Sequence, residues 1–88
     1  MPTGAPAPTP PAATTLAEAS RALWLATLSL MTAFMQMQAP AHRYLLARRI
    51  ARNLHTLGDQ ECFSAENRKR FARLRVRWES QARRFKPA

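Results

Sequence analysis

The sequence predicts an all-α fold, a small three-helix bundle behind a disordered Pro/Ala-rich N-terminal tail. Three observations lead there. Apolar residues recur at three- and four-residue spacings in three separate stretches. Pro40 and Gly58 fall between those stretches, where each can start or stop a helix. No stretch alternates apolar and polar residues in the way a half-buried strand does.

The tail comes first. Pro2, Pro6, Pro8, Pro10 and Pro11 are five of the seven prolines in the 88-residue chain. They are mixed with alanine, threonine and Gly4, and the segment has no large apolar side chain after Met1. Such a segment buries too little surface to offset its ordering entropy. Residues 1–15 are therefore expected to be disordered and partly polyproline-like.

The first helix is expected over about 16–38. Thr14 or Thr15 is the expected N-cap, with Glu18 in the first turn beside the positive end of the helix dipole. The length is about 34 Å at a rise of about 1.5 Å per residue. Leu16, Leu23, Leu30 and Met37 recur every seven residues, and Ala19, Ala26 and Ala33 follow the first three by three. This heptad seam lets a neighbouring helix come close at the alanines. Trp24, Leu28, Met31 and Met35 form a second apolar face. A helix apolar on most sides is buried on most sides, so this one is expected in the middle of the bundle. Leu23, Ala26, Leu30, Ala33 and Met37 are the candidate contacts for a partner or a second copy of the chain.

The block from Ala22 to Ala41 has no charged residue and is 20 residues long, about the length that spans a bilayer. Thr27, Ser29, Thr32, Gln36 and Gln38 dilute it, and Pro40 ends it. A membrane span with a basic cytosolic part is therefore a lesser alternative. A signal peptide cut at Ala39-Pro40-Ala41 is weaker still, because its n-region lacks net positive charge.

The second helix is expected over about 41–57, with Pro40 at its first position. Gly58 is the expected left-handed stop. Leu46, Ile50, Leu54 and Leu57 form its apolar face with Ala47 and Ala51 beside them, and Arg43, Arg48, Arg49 and Arg52 cover the rest. In the connection that follows, Phe63 reads as a hydrophobic staple and Ser64 as an N-cap, with Glu66 in the first turn. The third helix is expected over about 65–85. Phe71, Leu74, Trp78, Ala82 and Phe85 make a narrow stripe, and the other faces are strongly basic. A chain with about 70 folding residues and no disulfide has a thin stability margin, which favours self-association.

Charge carries the functional expectation. Residues 42–88 hold 13 lysines and arginines against four acids, so the whole net charge of +9 lies there. Residues 1–41 contribute Glu18 and Arg21 and sum to zero. Guanidinium groups donate paired hydrogen bonds to phosphates. Arg68, Lys69, Arg70, Arg73, Arg77, Arg83 and Arg84 on the third helix are the candidate nucleic-acid or anion-binding residues, with Arg73, Arg77 and Arg84 on one side. Few side chains there can read base edges, so backbone contacts with little sequence preference are expected. The connection before the third helix is too long for a helix-turn-helix motif. The leading alternative partner is an acidic protein.

The sequence shows no catalytic pattern. The only glycines are Gly4 and Gly58, so there is no phosphate-binding loop. His55, Asp59 and Cys62 lie close in sequence, but no second cysteine supports a metal site. No enzymatic activity, metal or cofactor is expected. One lone cysteine fits a reducing compartment, so the cytoplasm is the expected location.

Overall fold

The computed structural model describes residues 12–88, and side chains from Thr15 onward. It contains three helices: α1 (Ala12–Gln36), α2 (Pro40–Gly58) and α3 (Ala65–Phe85). No strand occurs among the described residues. The expected tail lies outside the described residues up to position 11. Residues 12–15 differ from expectation because they are already helical. Thr14 and Thr15 therefore do not cap α1, and Glu18 is not in its first turn.

α2, not α1, is the middle helix. Its backbone comes close to both α1 and α3, whereas α1 and α3 have no close backbone approach. Ala47, Ile50, Leu54 and Leu57 are fully buried along it. Full burial of each of the three larger side chains contributes about 1.5–3 kcal/mol. The reason for the reversal is visible on α1. Of the second apolar face only Trp24 and Met31 pack against the core, while Leu28 and Met35 are exposed, as is Leu25 beside them, so that face is covered only in part. The inward line of α1 is Ser20, Thr27 and Phe34, spaced by seven. Ser20 and Thr27 are small, which permits the close approach to α2. Their hydroxyls are satisfied: Thr27 donates to the Leu23 carbonyl at 2.7 Å, and Ser20 donates to Gln60 Oε1 at 3.5 Å.

α1 meets α3 through rings instead. Trp24 stands edge-on to Phe71 at 5.1 Å, and Phe34 stands edge-on to Trp78 at 4.9 Å and to Phe85 at 5.8 Å. Edge-to-face pairs each add about 0.5–1.5 kcal/mol beyond area burial. The large rings hold the two backbones apart and leave a groove between them.

The helix ends follow local chemistry. The Asn67 amide donates to Ser64 Oγ at 3.1 Å, so Ser64 is the α3 N-cap, with Glu66 in the first turn. Phe63 packs edge-on against Phe71 at 5.0 Å, fixing the entry to α3. Pro40 sits in the first turn of α2. Gly58 departs from expectation, because no residue described has positive φ. α2 ends instead through three-residue bonds from the Asp59 amide to the Thr56 carbonyl and from the Gln60 amide to the Leu57 carbonyl.

Arg43 also departs from the reading of helix 2. It is half-buried, donates Nε–H to the Met37 carbonyl, and lies 5.3 Å from the ring centroids of Phe34 and Phe85. It belongs to the core margin, not to the solvated basic face.

Candidate anion-binding surface

Two arginine clusters arise from the way α3 is flanked. On its α1 side, the spacing of Arg70, Arg73 and Arg77 brings them around one cavity of about 300 Å³ floored by Leu74. Arg84 follows Arg77 by seven on the same side and is exposed. Of Arg73, Arg77 and Arg84, expected on one side, the cavity brings together Arg73 and Arg77 with Arg70, and Arg84 lies outside it.

On its α2 side lies a second cluster. Arg48, Arg52 and His55 of α2 face Arg75 and Glu79 of α3 across a cavity of about 440 Å³. The spacing 48, 52, 55 puts the first three on one side of α2, but only the packing of α3 shows what they face. Sequence reasoning left Arg48, Arg52 and Arg75 out of the candidate set for that reason. Arg48 is steadied by Tyr44, with its guanidinium 5.6 Å from the ring centroid and a 3.4 Å hydrogen bond to the hydroxyl. Arg75 Nη1 lies 3.1 Å from His55 Nδ1. Arginine can only donate, so Nδ1 accepts and the ring proton is left on Nε2, which faces Asp59 Oδ2 at 3.8 Å.

The remaining candidates divide. Lys69 and Arg83 are exposed on the outer side of α3. Arg68 is half-buried beside the end of α2, and its Nε is buried with no hydrogen-bond partner among the described residues. Arg68 is thus separate from the exposed row. On α1, Leu23 and Leu30 pack against the core, Ala33 and Met37 are half-buried, and Ala26 is exposed. The five candidate partner contacts therefore do not form one free surface.

The electrostatic state of these clusters is their most distinctive property. Among the described residues the one approach of a basic side chain to a carboxylate is His55 Nε2 to Asp59 Oδ2, and both side chains are more than half exposed. No lysine or arginine is paired with a carboxylate, including the arginines beside Glu79. Pairs of like charge three or four residues apart on a helix each cost a few tenths of a kcal/mol. An anion placed among them relieves that repulsion and gains charge-assisted hydrogen bonds.

Other chemistries find less here. No group of three or more His, Cys, Asp or Glu side chains among the described residues is placed to hold a metal. Cys62 is a free, exposed thiol. No described helix is long and apolar enough to cross a membrane, which overturns the span considered for residues 22–41. No family model, curated protein or solved structure matches this chain.

Proposed function

We propose that this protein is a small non-enzymatic factor of the cytoplasm that binds nucleic acid through the arginine face of α3. Its role would be accessory or regulatory. The observation that carries the reading is that thirteen cations follow residue 41 and none forms an ion pair with a carboxylate among the described residues. A surface kept for solubility alone gains by interspersing both signs. A surface that meets a polyphosphate gains by leaving its guanidinium groups free. Arg70, Arg73, Arg77 and Arg84 supply one row, and Lys69 and Arg83 extend it around the helix. With few amides or hydroxyls on that face, recognition is by phosphate and weakly dependent on sequence.

The test is a fluorescence anisotropy titration of labelled DNA and RNA with wild-type protein and with the variant R73A/R77A/R84A. The variant should bind more weakly and lower the slope of log K against log salt by about 3, close to one unit per phosphate contact. Unchanged affinity and slope would remove α3 from the interface.

A further inference from the structure

The groove between α1 and α3 has a floor that a phosphate backbone does not need. Three cavities run along it. The first is lined by Trp24, Phe71 and Leu74, the second by Leu74 under its arginines, and the third by Leu74, Trp78 and Met35. Leu74 lines all three, so they adjoin one another in a row along α3, with α1 residues walling the first and the third. The row reaches from Asn67 to Gln81 of α3, about 21 Å at a helical rise of about 1.5 Å per residue. Phe71 and Trp78 mark its two apolar ends and are seven residues apart, which is two turns of a helix lying alongside.

The rim is cationic on both walls. Arg21 stands on α1, and Arg70, Arg73 and Arg77 stand on α3. An apolar floor with arginine walls is complementary to a helix that has an apolar stripe and acidic flanks. We propose that this groove takes an amphipathic helix from an acidic partner protein, which lies between α1 and α3 as a fourth helix. A second copy of this chain does not suit the groove. Its five acids, Glu18, Asp59, Glu61, Glu66 and Glu79, are scattered over α1, the α2–α3 connection and α3, and no helix of its own presents an acidic face.

The proposal shares Arg70, Arg73 and Arg77 with the nucleic-acid reading and adds the apolar floor, so its test changes the floor and leaves the charges alone. The probe is a labelled synthetic peptide of about 16 residues, with leucines at three- and four-residue spacings and glutamates on the flanking positions, set against a scrambled peptide of the same composition. The protein is the full chain and its double variant L28Q/M35Q. Met35 lines the groove, and Leu28 precedes it by seven on the same side of α1. They are 73% and 39% exposed, so the changes leave the core intact and no charge is altered. A circular dichroism spectrum and a thermal midpoint equal to wild type would confirm that.

The amphipathic peptide should bind at least about tenfold tighter than the scrambled one, and the double variant should lose most of that advantage. Equal binding of the two peptides, binding of neither, or wild-type peptide affinity in the double variant would each overturn the proposal. A nucleic acid that competes with the peptide only through charge would weaken both peptides alike.

Discussion

Arg43 of α2 lies against Phe85 of α3, its guanidinium carbon 5.3 Å from the ring centroid, and it sits equally close to Phe34 of α1. One cation thus joins all three helices where they end or begin, and its Nε–H also holds the Met37 carbonyl just past the end of α1. Two cation–π contacts contribute about 0.5–1 kcal/mol each at a partly exposed site, with a further contribution of about 1 kcal/mol from the hydrogen bond. Arg43→Ala should therefore destabilise the fold by about 2 kcal/mol. Arg43→Lys should recover only part of this, since an ammonium lacks the flat guanidinium that stacks on both rings. Thermal unfolding checks both, because about 1 kcal/mol shifts the midpoint of a domain this size by about 4–8 °C. Equal midpoints for wild type and Arg43→Ala would refute the clasp.

The inward line of α1 is tested by a pair of substitutions. Thr27 is fully buried where α1 nears α2, and Ala26 beside it is exposed. Thr27→Leu adds bulk in a closed space and should cost about 1–3 kcal/mol. Ala26→Leu should change stability by no more than about 0.5 kcal/mol. Chemical denaturation with a constant m-value checks the pair. The reverse order of effects would mean that the heptad seam at Ala26, not the Ser20–Thr27–Phe34 line, faces the bundle.

Gly58 is helical, and a methyl group there would meet the Arg68 carbonyl oxygen at 3.7 Å and Phe71 Cβ at 3.9 Å, both ordinary contacts. Gly58→Ala should therefore stabilise the protein by about 0.5–1 kcal/mol by reducing the freedom of the unfolded chain. A loss of stability in the melting curve would show that the glycine needs its left-handed freedom after all.

Ser64 caps α3 through the Asn67 amide, with no second cap from a residue-67 carboxylate. Ser64→Ala should cost about 1 kcal/mol, and Ser64→Asp should be close to neutral because aspartate caps as well. Amide exchange of the first α3 turn reports this directly. Equal protection in Ser64→Ala would deny the cap.

Much of this was legible in the sequence, for identifiable reasons. α3 runs over the expected 65–85 because Ser64 caps it, and Pro87 follows its end. The face of α2 was legible because Ile50, Leu54 and Leu57 are large, apolar and regularly spaced. What misled was α1. Its leucines at 16, 23 and 30 run beside Ser20 and Thr27 in the same seven-residue period, and hydropathy favours the leucines. Close helix packing favours the small hydroxyl residues, and packing decides. Arg43 and Arg68 were read as surface for the same kind of reason, since charge alone does not reveal a guanidinium laid over two rings or wedged beside a helix end. The second arginine cleft needed the α2–α3 pairing, which no single helix encodes.

The proposed function has the unpaired arginines of α3 meeting a polyphosphate. The most direct test is the affinity of the wild-type chain for a short labelled duplex and a short single strand at about 50 and about 200 mM salt. If Lys69, Arg70, Arg73, Arg77, Arg83 and Arg84 make about six phosphate contacts, duplex affinity should fall by about a thousandfold between the two salt concentrations. Binding that is absent at the lower salt, or that does not respond to salt, would contradict the claim.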